Sequence, residues 1–114
     1  MDQLVVTHRS GTSAGLEQRF DVHPGTTLTI GRDPLSDIRL DPDREGIVSR
    51  VHARIIAHSS RVIWLELVDK ESMNGTFING RWIRGRIALV PGDRIRLGYD
   101  GPELEVGVEA APKL

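Results

Sequence analysis

Apolar residues in this chain recur at every second position over short stretches, with polar residues between them. That is the period of a strand with one buried face, not of a helix. Thr27-Leu28-Thr29-Ile30 alternates into Gly31, and Arg94-Ile95-Arg96-Leu97 repeats the pattern. Leu4 to Val6, Phe20 to Val22, Ile38 to Leu40, Ala53 to Ala57, Thr76 to Ile78, Arg81 to Ile83 and Leu104 to Val108 read as further strands. The longest run, Val62 to Val68, sets Ile63, Leu65 and Leu67 on one face and Trp64 and Glu66 on the other. No window of twelve or more residues carries a helical stripe. The pattern predicts an all-β fold, a β-sandwich of about eleven short strands.

Turn residues punctuate these runs. Pro24-Gly25 and Pro91-Gly92 pair a preset φ with a residue that accepts positive φ. Asn79-Gly80 between two short strands is a strong two-residue hairpin signal. Ser59-Ser60 marks the expected turn before Val62. Residues 9–15 form a polar loop, and residues 41–48 a longer charged loop leading into Ser49. One domain is expected over residues 1–108, with 109–114 as a flexible tail or the start of a linker.

Composition narrows the function. A chain of 114 residues buries a core without staples. It has no cysteine, so disulfides and thiolate metal sites are excluded. The net charge of −1 argues against bulk nucleic-acid binding, which needs a basic excess. Met1-Asp2-Gln3 and three apolar residues are no signal sequence, and no stretch suits membrane insertion. A cytoplasmic module is the expectation. Thirteen of the fifteen cationic residues are arginine, whose planar fork suits carboxylate and phosphate. A GC-rich genome gives the same bias, so each arginine has to be argued by position.

Three stretches at strand ends carry the candidate chemistry: Gly31-Arg32, Ser49-Arg50-Val51-His52, and Asn74-Gly75 with Asn79-Gly80 five residues on. Together they offer guanidinium donors, a hydroxyl and a side-chain amide. No catalytic residue is assigned. Ser49 and His52 lie near each other in sequence, but a nucleophile also needs an oriented base and an oxyanion site. A phosphate-cradling Gly-x-x-x-x-Gly-Lys-Ser/Thr and a His-Glu-x-x-His are both absent from the sequence. His8, His23 and His58 show no metal spacing and are expected at the surface or at sheet edges. No enzyme, metal or cofactor is implied.

In their order and spacing these stretches resemble a forkhead-associated (FHA) domain. Asp37-Ile38-x-Leu40 and Pro91-Gly92-Asp93-x-Ile95-x-Leu97-Gly98 agree with it, and the resemblance covers about residues 4 to 108. It implies a sandwich of eleven strands that recognises phosphothreonine in partner proteins through loops at one end. It makes Arg32 a phosphate clamp, the alternative being a surface pairing with Asp33 or Asp37. It makes Ser49 a hydroxyl donor to phosphate, Arg50 a second cation there, and Asn74 the grip on the peptide backbone. Gly31, His52, Gly75, Asn79 and Gly80 become loop scaffold. Met73 departs from the family pattern, since a thioether cannot donate. It is left to pack against the peptide, and the phosphate would be held mainly from the first two stretches. The implied partner is a threonine-phosphorylated protein or peptide, a Ser/Thr kinase substrate. The chain would act as a monomer or as a module of a larger protein. A phosphate-independent interaction module of the same fold is the alternative.

Overall fold

Leu28 and Ile30 point inward from their strand while Thr27 and Thr29 do not, and the same alternation builds both layers of the molecule. The computed structural model describes residues 2–110. It contains eleven strands and, among the described residues, no helix. They are β1 (Asp2–His8), β2 (Glu17–Val22), β3 (Thr27–Gly31), β4 (Ile38–Arg39), β5 (Ala53–Ser60), β6 (Val62–Asp69), β7 (Thr76–Ile78), β8 (Arg81–Trp82), β9 (Arg86–Leu89), β10 (Arg94–Leu97) and β11 (Glu103–Ala110). One sheet has the order β2-β1-β11-β10-β7-β8 and the other β4-β3-β5-β6-β9. Neighbours pair antiparallel except β3 with β4, which run parallel. The two inner faces enclose Leu4, Val6, Ile30, Ile38, Ile55, Leu67, Ile95, Leu97 and Leu104, each at most 1% exposed. The all-β sandwich read from the sequence is therefore the fold.

Several details differ from expectation. β9 is an added strand, with only Leu89 of its four residues buried, so its sequence carries almost no alternation. The turn between β5 and β6 sits at Arg61, which takes φ 70°; Ser59 and Ser60 still pair with Ile63 and Val62. β11 runs through Glu109 and Ala110, which face Gln3 and Asp2 across the sheet. Glu109 and Ala110, expected to start the tail, are thus part of the strand, and residues 111–114 lie outside the described ones. His8 is not a surface residue. It is 1% exposed, with its Nε2 2.8 Å from the Gln18 carbonyl oxygen Oε1.

The connections after β1, β3, β4, β6 and β10 meet at one end of the sandwich. Thr12 from the first donates through its N–H and its hydroxyl to Glu45 Oε1 in the third. Gly98 N–H in the last donates to Gly75 O in the fourth at 2.8 Å.

Candidate functional site

Gly31 closes β3, and a Cβ there would lie 2.0 Å from the Arg50 carbonyl oxygen. Only a residue without a side chain permits that approach. The backbones of residues 30–33 and 49–52 then run side by side. Arg32 N–H donates to Ser49 O (3.2 Å), Asp33 N–H to Arg50 O (3.0 Å) and His52 N–H to Ile30 O (2.8 Å).

His52 links this pair of segments to the β6–β7 loop. Its ring is fully buried. Nδ1 accepts the Ser49 N–H at 3.0 Å, so the ring proton sits on Nε2 and donates to the Gly75 carbonyl at 2.9 Å. Burial holds the imidazole pKa below its ordinary value, against the opposing influence of the Gly75 carbonyl and Asp69. The neutral ring is the form that makes both bonds. The loop it grips is shaped further by Asp69 Oδ1, which accepts from the Ser72 hydroxyl (2.6 Å) and the Thr76 hydroxyl (2.8 Å).

One cleft is lined by Arg32, Ser49, Arg50, Met73 and Asn74, with residues 46–48 behind them. Arg32 does not pair with Asp33 or Asp37. Its Nε donates to Val48 O, and its two terminal nitrogens have no partner among the described residues. Ser49 Oγ accepts the Met73 N–H at 3.0 Å, which leaves the hydroxyl proton free to donate elsewhere. Arg50 is exposed and reaches Asp33 at 3.3 Å. Asn74 Nδ2 donates to Ile47 O at 2.8 Å, tying the two loops and leaving Oδ1 and one amide hydrogen unused. It is not a turn residue tolerating positive φ, a task that falls to Gly75. The Met73 side chain is 89% exposed.

The charged loop before Ser49 is more ordered than its composition suggests. Asp41 Oδ1 accepts the N–H groups of Asp43 (2.8 Å) and Arg44 (3.0 Å), which lower its pKa. Glu45 is engaged by Thr12, and Val48 anchors the loop in the core. Asp43 and Arg44 remain exposed. Asn79 and Gly80 make the β7–β8 turn with φ 50° and 84°. Asn79 also bonds Asp93 Oδ1 and the Arg94 N–H, so it serves the frame.

Sequence reading missed a second groove beside the cleft, lined by Met73, Asn74, Phe77, Trp82 and Tyr99 together with Ser72 and Gly75. The available signal was scarcity: the chain has only five aromatic residues of the Phe, Trp and Tyr types, and three of them meet here.

The FHA domain family model matches residues 28–98, and the chain belongs to that family. It is 41% identical over 95 residues to the oxoglutarate dehydrogenase inhibitor of Corynebacterium efficiens, an alignment covering 83% of this chain and 59% of that protein. The crystal structure of the FHA domain of CT664 from Chlamydia trachomatis superposes with a TM-score of 0.76 at 26% identity, covering 96% of this chain and 99% of that one. A structure from a study of phosphothreonine-dependent FHA domain interactions superposes with a TM-score of 0.68 at 27% identity, covering 97% and 99%. The chain spans 26% to 59% of the length of the curated relatives it matches, transcription factor 19 of Macaca mulatta at the lower end.

Proposed function

We propose that this chain is a phosphothreonine-binding module for partner proteins, with the phosphate held by Arg32, Ser49 and Arg50 and the peptide backbone by Asn74. One observation carries the reading: the cleft has donors and no carboxylate among its lining residues. The free fork ends of Arg32 and the free Ser49 proton point to an anion with several acceptor oxygens. Phosphothreonine brings about −1.5 to −2 charge and three such oxygens. Gly31 and His52 act as the scaffold that holds these donors, and Gly75 presents the carbonyl that His52 grips. The likeness to FHA domains in phosphothreonine-dependent interactions supports the same reading. The partner is a threonine-phosphorylated protein made by a Ser/Thr kinase. The fold serves recognition and performs no reaction.

Hydrogen bonds to charged groups are worth about 1.5–3 kcal/mol each, and ordering the peptide removes several kcal/mol. Affinity is therefore expected near micromolar, about −8 kcal/mol. The test is calorimetric titration with one peptide in phosphorylated and unphosphorylated forms. Only the phosphorylated form should bind, and Arg32→Ala should abolish that binding. Equal affinity of the two forms, or binding that survives Arg32→Ala, would favour the phosphate-independent module instead.

A further inference from the structure

The loop between β1 and β2 reaches the phosphate cleft at one remove. Thr12 donates its N–H (3.2 Å) and its hydroxyl (2.9 Å) to Glu45 Oε1, and these are the hydrogen bonds of the Glu45 carboxylate among the described residues. Gly11 takes φ 89°, and a Cβ there would stand 2.8 Å from Pro102 Cβ and 3.3 Å from both Glu45 carboxylate oxygens. Only a bare backbone lets the loop come this close to the carboxylate. On its other side, Arg9 N–H donates to Glu103 O at 2.8 Å, and Ser10 Oγ accepts the Glu103 N–H at 3.0 Å. The β1–β2 loop is thus fixed to the start of β11, and Glu45 is fixed to the loop.

Glu45 in turn sets the segment that backs the cleft. Its N–H donates to Asp41 O and its carbonyl accepts the Val48 N–H, both at 3.0 Å. The two carbonyls that follow it are the ones that hold the candidate ligands: Ile47 O accepts Asn74 Nδ2, and Val48 O accepts Arg32 Nε. Gly46, which joins Glu45 to Ile47, is exposed, and a Cβ on it would meet nothing within 4 Å. Nothing packs the segment at that point, so the anchors on either side fix it. Ile47 is one anchor, seated so closely that a Cβ at Gly98 would lie 2.6 Å from its Cγ1. Glu45 is the other.

We propose that Thr12 and Glu45 are positioning residues for the phosphate cleft, a latch that sets the aim of Arg32 and Asn74 without touching the ligand. The latch presupposes the phosphothreonine reading above and extends it to two residues outside the lining of the cleft. Closed, it holds Val48 O against Arg32 Nε and leaves the two terminal nitrogens of the fork for the phosphate. Open, it returns the Glu45 carboxylate to water and frees residues 46–48. The ligand must then order the fork itself, and ordering a side chain on binding costs affinity.

The experiment joins calorimetry and NMR, with one phosphothreonine peptide, at a temperature where every variant is folded by circular dichroism. Thr12→Val and Glu45→Ala should each weaken binding roughly three- to tenfold. The double variant should bind no worse than the weaker single, because both substitutions remove the same contact. Thr12→Ser, which keeps the hydroxyl, should recover most of the loss. Glu45→Gln, which keeps one acceptor oxygen but not the charge, stands in for Glu45→Ala should that variant fold poorly. In the chain without peptide, the Arg32 Nε–H signal should move in Thr12→Val and return in Thr12→Ser. A contact that served stability alone would lower Tm and leave that signal and the affinity unchanged. That result, or losses that add in the double variant, overturns the latch. The Arg32 signal needs no peptide, so the two readings fail separately. Phosphate-independent binding overturns the phosphothreonine reading and the affinity effect with it. Phosphate-dependent binding with an unmoved Arg32 signal overturns the latch alone.

Discussion

His52 has both ring nitrogens committed, one as acceptor and one as donor, and that sets a pH dependence. Its pKa in the folded chain is depressed by burial, so below about pH 6.5 the unfolded chain takes up a proton that the folded one resists. The stability it contributes is complete above that pH and is lost as pH falls toward the depressed value. Asp41 and Glu105 are held below the usual carboxylate range by the Asp43 N–H and by Arg9 respectively, so their share is lost only at lower pH. Thermal melting between about pH 6.5 and 5 should therefore fall more steeply for the native chain than for His52→Gln; identical slopes would remove His52 from the account. Gly31 supplies a second residue-scale outcome. Gly31→Ala drives a methyl into the Arg50 carbonyl, and urea unfolding should show a loss of about 3 kcal/mol or more. These roles were legible only in part. The spacing of Gly31, Ser49, His52 and Asn74 suggested loops that meet. Nothing in the sequence said that Ser49 would accept the Met73 N–H, that Asn74 would tie to Ile47, or that His8 would be buried, because each depends on a segment distant in the chain.

Strands with one clean buried face, such as β3 and β10, were readable because alternation is the direct imprint of a half-buried sheet. β9 escaped because an edge strand with three exposed residues out of four has no such imprint. The β5–β6 turn, expected at Ser59-Ser60, falls just beyond them because Arg61, rather than a glycine or asparagine, takes the positive φ there. The β7–β8 hairpin was legible from Asn79-Gly80, yet its tie to a third strand was not. Asn79 bonds Asp93 and the Arg94 N–H, which stitches the hairpin to the start of β10. Asn79→Ala loses those bonds beside buried Asp93 and a residue suited to φ 50°. Equilibrium unfolding should report a loss of about 1–3 kcal/mol, and Asn79→Asp should also lose stability, because it tolerates the turn but sets a second carboxylate against Asp93 Oδ1. The end of β11 gives a further check. Removing residues 109–114 takes away two cross-strand pairs with β1, so Tm should drop by a few degrees. An unchanged Tm would mean that the strand effectively ends at Val108.

For the molecule as a whole, a net charge of −1 conceals an uneven distribution. The β1, β2, β10 and β11 sheet carries paired charges: Arg9 with Glu105, Arg94 with Glu103 and Glu105, and Arg19 with Glu17 and Glu109. Exposed pairs of this kind add little to stability and are readily screened. The loop end differs at Arg32, whose fork ends have no partner among the described residues, while the exposed Arg50 pairs with Asp33 at 3.3 Å. The apolar core, in contrast, is indifferent to screening and gains slightly from salting-out ions. Stability and ligand affinity should therefore part company as salt rises. Between 0.1 and 1 M sodium chloride the screening length shrinks from about 10 Å to about 3 Å. Over that range Tm should stay nearly constant while phosphopeptide affinity weakens several-fold, read by melting and titration on the same samples. Affinity that holds steady in salt, with Tm also steady, would place the binding energy in apolar contacts such as the Phe77, Trp82 and Tyr99 groove.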